Sequence, residues 1–424
     1  MPKLLVIADD LTGAADTAAQ FAKQGIDTLV LVDSTHAWPA AAAECEVLIV
    51  NTESRHLSAE DAADRVRKSV VTGATFGTTH YYKKTDSTLR GNIGSELEAL
   101  RVAVGQPVLP YLPAYPRLGR TTTNGKLYVN GKLLEETTFS SDSLAPVHES
   151  HVPSIVANQT STPCLLVNDF TLLDELEKEP RDGAFWLFDA ASDQDLFEAG
   201  KLLKQSDMLV ATAGSAGFAK YLAQLLDLDA SQPEIPSANG PMLVVAGSLN
   251  EVTLAQLAYA ERAGFESVTL SPTVLVTERG AQTTEGRRAI AEVLGHSQAG
   301  RDVIIRTVSS SGDASPYVEY ARSRELATAE IHALISKNLA EVVAGVIERG
   351  EFTTLVILGG DTMLAIAREL GWTSFVPRGE VVPGVAVSKV GGVPHALLVV
   401  SKAGGFGDTA VLTKIKEGLR HETK

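Results

Sequence analysis

The residues able to do chemistry in the first half of the chain fall in three short segments, each at the end of an apolar run. Ala8-Asp9-Asp10-Leu11-Thr12-Gly13 sets two adjacent carboxylates after the run at 4–8. Asn51-Thr52-Glu53-Ser54-Arg55 follows the run at 47–50. Lys83-Lys84-Thr85-Asp86-Ser87-Thr88-Leu89-Arg90-Gly91-Asn92 closes the run at 80–84. In an open parallel sheet such turns lie at the carboxyl edge of the strands, where ligands bind. Adjacent Asp9 and Asp10 point in different directions, so one can cap the following helix while the other faces a ligand. A small polyhydroxylated acid needs a cation for its carboxylate and hydrogen-bonding side chains for its hydroxyls. Arginine adds orientation, because it holds a carboxylate through two parallel hydrogen bonds. A merely solvated basic turn would not account for Asp86 and Ser87 beside the cations.

The second half carries glycine clusters instead. Ala246-Gly247-Ser248, Leu358-Gly359-Gly360-Asp361-Thr362 and Lys402-Ala403-Gly404-Gly405-Phe406-Gly407-Asp408-Thr409 each follow an apolar run. Glycine lets backbone N–H groups approach a phosphate, and a helix N-terminus favours negative charge. Three such clusters together point to a nucleotide. A nicotinamide-dependent dehydrogenase is the competing reading, because Gly405 to Ala410 fits G-x-G-x-x-A. That motif needs about 30 residues of βαβ unit with an acidic residue about 20 further on, and too little sequence follows it here. A G-x-x-x-x-G-K-[ST] phosphate loop is absent. His148 and His151 have no third ligand at metal-site spacing, so a metal site is left unassigned, and Cys45 and Cys164 read as bystanders.

Elements that could position these segments alternate in the manner of parallel sheets covered by helices. Strands are expected at 4–8, 28–32, 47–50, 80–84, 108–112, 164–167, 185–188 and 208–211. Helices are expected at 14–23, 59–70, 95–104 and 218–226. The stretch 113–153, rich in Gly, Thr, Asn and Ser, reads as a long excursion outside the core. After a Pro-rich linker at 226–241 the rhythm resumes with strands at 242–246, 267–270, 303–307, 354–358 and 396–401. Helices are expected there from 251, at 326–349 and at 362–370. The fold class is therefore α/β, in two domains with mostly parallel sheets: 1–230 for the acid and 240–424 for the nucleotide, the active site in the cleft between them.

The 424 residues suit two domains of ordinary size, and 44% apolar content supplies two cores. A formal charge of -15 repels nucleic acid and anionic membranes, so an anionic ligand must be held by local cations. Two cysteines make no disulfide framework, and the five-residue apolar run before Asp9 is too short for a signal peptide. A cytoplasmic location is expected, with no membrane partner and a homodimer as the one protein assembly entertained.

The segments IADDLTGAADTA, YKKTDSTLRGNIGSELEAL, PAYPRLGRTTTNGKLYVNG, GGDT and KAGGFGD closely resemble the four-carbon acid sugar kinase family, over residues 4 to about 415. The resemblance implies ATP-dependent phosphorylation of a four-carbon sugar acid at its terminal hydroxyl, and phosphoryl transfer in general calls for Mg²⁺ as the bridge between phosphate oxygens. It implies substrate contacts at Asp10, Arg55, Lys84, Thr85, Asp86 and Ser87, and the cation of Arg90 joins them. ATP contacts are implied at Ser248, Gly359, Gly360, Asp361, Thr362, Met363, Gly404, Gly405, Phe406 and Gly407. Asp10 and Asp86 are both candidates to accept the hydroxyl proton. Relatives acting on 3-oxo-tetronate carry a Phe-Asp-Ser-Thr run, whereas Lys84-Thr85-Asp86-Ser87-Thr88 looks more like D-threonate or D-erythronate kinases. The alternatives are a 3-oxo-tetronate 4-kinase, a non-catalytic two-lobed acid sensor, and the dehydrogenase.

Overall fold

The computed structural model describes residues 1–141, 146–167, 183–232, 235–247, 250–308, 328–390, 397–402 and 407–420. The chain divides into two compact units, Met1–Pro233 and Glu234–Lys424.

The first unit opens with β1 (Leu4–Ala8), α1 (Leu11–Ala22), β2 (Thr28–Leu31), β3 (Val47–Asn51) and α2 (Ala59–Thr75). β4 (His80–Lys84), α3 (Ile93–Val104) and β5 (Val108–Leu112) follow. All five residues of β1 are buried, the continuous apolar pattern of a strand covered on both faces. The Asp10 side chain caps α1 by accepting from the Gly13 amide at 2.9 Å, and Ser58 caps α2 by accepting from the Asp61 amide. α3 stops at Gly105, whose φ of 75° a side chain would strain.

A small antiparallel sheet, β6 (Arg120–Thr123), β7 (Lys126–Val129) and β8 (Lys132–Leu133), interrupts this order. Its two turns are Asn124-Gly125 and Asn130-Gly131, all four residues at positive φ. That is the chemistry of two-residue hairpin loops matched to strand twist. Within the excursion expected at 113–153, these strands form an ordered layer that buries Leu127, Val129 and Leu134. The unit is completed by α4 (Val152–Ala157), β9 (Cys164–Val167), β10 (Ala184–Phe188), α5 (Asp193–Gln205), β11 (Ala211–Gly214) and α6 (Ala216–Leu225).

Its main sheet is parallel throughout, in the order β2-β3-β1-β4-β11-β5-β10-β9. The chain first builds to one side of β1 and then crosses to β4 on the other. The crevice above the carboxyl ends of β3, β1 and β4 is therefore a topological switch point. β11 starts at Ala211, although its apolar run begins at Met208. The Met208 amide still closes α5 on the Leu203 carbonyl, and Asp207 turns at φ 54°.

The second unit contains β12 (Met242–Ala246), α7 (Glu251–Arg262), β13 (Glu266–Thr269), α8 (Pro272–Val276), α9 (Thr284–Gln298) and β14 (Val303–Arg306). It continues with α10 (Thr328–Ile347), β15 (Thr354–Leu358), α11 (Gly360–Glu369), β16 (Ser374–Val382), β17 (Val385–Val390), β18 (Leu398–Lys402) and α12 (Val411–Leu419). β13-β14-β12-β15-β18 run parallel, and β17 and β16 add an antiparallel hairpin that turns at Gly384 (φ 78°). α7 and α12 cover one face of the sheet around Val244, Val356 and Val400. Among the described residues no helix is long and apolar enough to cross a membrane.

Candidate active site

Three adjacent strand ends of the first unit bring their charged residues together. Asp9 and Asp10 leave β1, Arg55 comes from the turn after β3, and Lys84 to Arg90 extend β4. Arg55 is the hub. Its Nε donates to Asp9 Oδ2 at 2.7 Å, and its Nη2 reaches Asp10 Oδ1 at 2.8 Å and Asp86 Oδ1 at 3.6 Å. Arg90 grips Asp86 with two prongs, Nε to Oδ2 at 2.8 Å and Nη2 to Oδ1 at 3.1 Å. The Thr88 hydroxyl and the Thr88 and Arg90 amides also donate to Asp86 Oδ2.

These pairings decide the charge states. Burial alone would raise the Asp86 carboxyl, but Arg90 and Arg55 outweigh it and hold it well below the carboxylate range. Burial likewise opposes ionisation of Asp9, and Arg55, Lys83 and Lys84 keep its carboxyl below the ordinary value. Burial works against the Arg55 charge too, yet Asp10, Asp9 and Asp86 together hold the guanidinium well above its usual value. Asp10 differs in geometry: its Oδ1 is shared by Gly13 and Arg55, and its Oδ2 has no partner among the described residues. Its side chain keeps 18% of its surface exposed.

The remaining acid-side residues stand within this frame. Lys84 Nζ donates to the Thr85 carbonyl at 2.8 Å, and the Thr85 hydroxyl lies 3.3 Å from that of Tyr111. Ser87 is half-buried, and its hydroxyl has no partner among the described residues. Two non-glycine residues in these turns, Glu53 (φ 48°) and Leu89 (φ 60°), sit in the left-handed region. Such strain persists only where surrounding bonds hold it, and it gathers at functional sites. Asn51 supplies the bonds for Glu53, donating to its carboxylate at 3.0 Å and accepting from its amide at 3.0 Å.

Beneath the cluster lies a buried ion pair absent from the sequence-based candidates. Lys83 Nζ sits 3.3 Å from Glu96 Oε2, the two side chains 0% and 1% exposed. Lys83 also donates to the Ile7 and Lys84 carbonyls. Glu96 accepts from the Ser54 hydroxyl, which is 2.7 Å from Thr52 Oγ1. Burial pushes the Glu96 carboxyl up, with Lys83 pulling against it. This network ties α3 and the turn after β3 to β4, so it aligns the strand ends without facing solvent. Strand alternation was the available signal: Lys83 and Lys84 must point to opposite faces.

In the second unit the glycine turns follow β12, β15 and β18, three neighbours in the sheet. Gly359 caps α11 at φ 109°, and its amide donates to the Lys402 carbonyl at 3.0 Å. Space around Gly359 is ample, since an added Cβ would meet only Thr362 Oγ1 at 3.8 Å. Backbone angle is what requires glycine there. Gly360, Asp361, Thr362 and Met363 form the first turn of α11; the Met363 amide closes it on the Gly359 carbonyl at 3.1 Å, and the amides of Gly360, Asp361 and Thr362 ahead of it suit an anion. Gly247 is packed against that turn, a Cβ there falling 2.7 Å from Thr362 Oγ1. The Gly407 carbonyl is anchored by Gln256 Nε2 at 3.1 Å. Ser248, Gly404, Gly405 and Phe406 lie outside the described residues. Burial pulls the Lys402 ammonium, at the end of β18, down to about 8.

Cys45, Cys164 and His151 stand apart from these turns. Burial pushes the Cys45 and Cys164 thiols up to about 12, and His151 Nδ1 pairs with Ser154 at the start of α4. Among the described residues no three His, Cys, Asp or Glu side chains gather to hold a metal unaided. Asp361 is exposed on the first turn of α11 and has no partner among the described residues. A carboxylate beside these helix-opening amides would repel a bare triphosphate. It suits Mg²⁺, which one or two carboxylates and the phosphates hold together.

Charged strand ends in one α/β unit and glycine turns in the other give the chain a two-unit α/β architecture. Residues 4–222 match a family model described as a sugar-binding N-terminal domain, and residues 243–412 match a nucleotide-binding C-terminal domain. The D-threonate kinase of Salmonella typhimurium is 31% identical, the match covering 97% of this chain and 96% of the relative. The 3-oxo-tetronate kinase of Methylobacterium radiotolerans is 29% identical, covering 95% of each. The D-erythronate kinase of Heliobacterium modesticaldum is 27% identical, covering 96% of this chain and 95% of the relative. The chain belongs to the four-carbon acid sugar kinase family, whose members are phosphotransferases with an alcohol group as acceptor.

Proposed function

We propose that this chain transfers the γ-phosphoryl group of ATP to the terminal (4-) hydroxyl of a four-carbon sugar acid, D-threonate foremost, giving the 4-phosphate and ADP. The observation that carries the reading is the convergence of Asp10, Arg55, Lys84 to Ser87 and Arg90 at one switch point. The D-threonate kinase relative of near-equal length supports the choice of substrate.

Asp10 is the residue that takes the hydroxyl proton. Its Oδ2 is unengaged, whereas Asp86 spends both oxygens on Arg90 and is held in a weakly basic state. Ser87 and Thr85 orient the hydroxyls, Lys84 neutralises negative charge, and Arg55 fixes Asp10 in place. In the second unit the amides of Gly360, Asp361 and Thr362 receive the phosphates, and Asp361 would hold Mg²⁺. That ion would spread the charge of the triphosphate, the main electrostatic demand of phosphoryl transfer. Catalysis then rests on alignment and charge stabilisation rather than on a covalent intermediate.

The second reading is the 3-oxo-tetronate 4-kinase, favoured by the Methylobacterium radiotolerans relative. A coupled ADP-release assay with Mg²⁺ across D-threonate, D-erythronate and 3-oxo-tetronate separates the two. D-Threonate should give the highest kcat/KM. A higher value for 3-oxo-tetronate transfers the assignment, and ATP consumption with none of the three removes the kinase reading.

A further inference from the structure

The cations around the first unit's crevice are unequally engaged. Arg55 is spent on Asp9 and Asp10, and Arg90 on Asp86. Lys84 and Arg120 have no carboxylate partner among the described residues. Arg120 Nη1 donates to the Leu118 carbonyl, and its Nε is buried with no hydrogen-bond partner. A guanidinium donor shut away from water and left unmade costs free energy unless a ligand completes it.

Arg120 is brought to this crevice by a firm scaffold. It opens β6, and its backbone pairs with Tyr115 through bonds of 2.7 and 3.1 Å. Ala114, next to Tyr115, accepts from the Ser215 hydroxyl at 2.6 Å. Tyr115 packs on Gly217, where a Cβ would stand 2.8 Å from the tyrosine Cα. Ser215 and Gly217 mark the carboxyl end of β11, the neighbour of β4 in the sheet. The guanidinium thus sits within electrostatic reach of Asp86, Asp16 and Arg90, and burial holds its pKa below the ordinary arginine value.

Resting on the kinase reading above, we infer that Arg120 is a further substrate-binding residue that grips the carboxylate of the sugar acid. Two parallel N–H donors match a carboxylate, and they lie in the unit that carries the acid-binding turns. Arg55 and Arg90 then serve to hold the carboxylates of the protein, leaving Arg120 and Lys84 for the carboxylate of the ligand.

The test compares Arg120→Met and Arg120→Lys with wild type, using D-threonate and its uncharged primary amide as alternative acceptors. Arg120→Met should lower kcat/KM for the acid by roughly ten- to a hundred-fold. The amide should lose little, the KM for ATP should hold, and Arg120→Lys should fall between. Equal losses for acid and amide would reduce Arg120 to a packing role and overturn the inference. A loss confined to the KM for ATP would overturn it as well, making the residue a phosphate contact. If Arg120→Met does not fold, the acid-to-amide ratio of Arg120→Lys decides alone: a ratio equal to wild type overturns the inference. A wild-type enzyme that turns over neither acceptor, nor any other four-carbon acid, removes the kinase reading and Arg120's role with it. Acid turnover with an unchanged ratio in the variants removes only the latter.

Discussion

Asp10→Asn should lower kcat by about 10²- to 10⁴-fold, the usual worth of a positioned general base. The amide keeps an Oδ1 that can accept from Gly13 and Arg55, so helix α1 stays capped and the variant should fold. What disappears is the proton acceptor. Asp86→Asn should behave otherwise, because the native carboxylate is already bonded to Arg90, Arg55 and Thr88. Its loss frees Arg90 and loosens the turn after β4, so KM for the acid should rise more than kcat falls. Steady-state kinetics of the two variants checks this. Full kcat in Asp10→Asn, with collapse in Asp86→Asn, would exchange the two roles.

Lys83→Met should cost about 3–5 kcal/mol of stability at pH 7, because it strands a buried carboxylate. Glu96 would be left with the Ser54 hydroxyl, and the Ile7 and Lys84 carbonyls would lose their donor. The pH dependence follows from the direction of the Glu96 shift. Burial already raises this carboxyl above its unfolded value, and removing Lys83 raises it further. A folded state that binds the extra proton gains stability below that raised pKa and loses it as pH climbs through it. The deficit against wild type should therefore be smaller at pH 5 than at pH 7. Urea denaturation at both values measures it, and a deficit under about 1 kcal/mol at pH 7 would show that the pair carries little.

Much of the candidate site was legible because its residues lie after apolar runs, where a parallel sheet must expose them. Asp10, Arg55 and Asp86 are read off in that way, as are the glycines before α11. What the chain order conceals is partnership. Arg55 reads as a free cation, and only the fold shows three carboxylates around it. Arg120 lies in a segment whose Asn124-Gly125 and Asn130-Gly131 pairs announce hairpins, but no local signal says which sheet they rest upon. β11, made of Ala-Thr-Ala-Gly, starts three residues after its apolar run opens, because Met208 still closes the preceding helix and the strand is buried by its neighbours rather than by its own bulk. α8 and α9 passed unread because Pro272, Gly280 and Gly286 interrupt an otherwise helical stretch. The antiparallel β16 and β17 were missed for a similar reason: Pro383-Gly384 splits one apolar stretch into a hairpin.

The central claim is that the primary hydroxyl of a four-carbon acid receives the phosphoryl group. Phosphorus NMR of the product formed from ATP, Mg²⁺ and D-threonate tests it most directly. A phosphate ester on C4 has two protons on the ester carbon, so its phosphorus signal should split into a triplet and appear in step with ADP. A doublet would place the phosphate on C2 or C3, and an uncoupled signal would mean an acyl phosphate or free phosphate. Any of these outcomes would contradict the account.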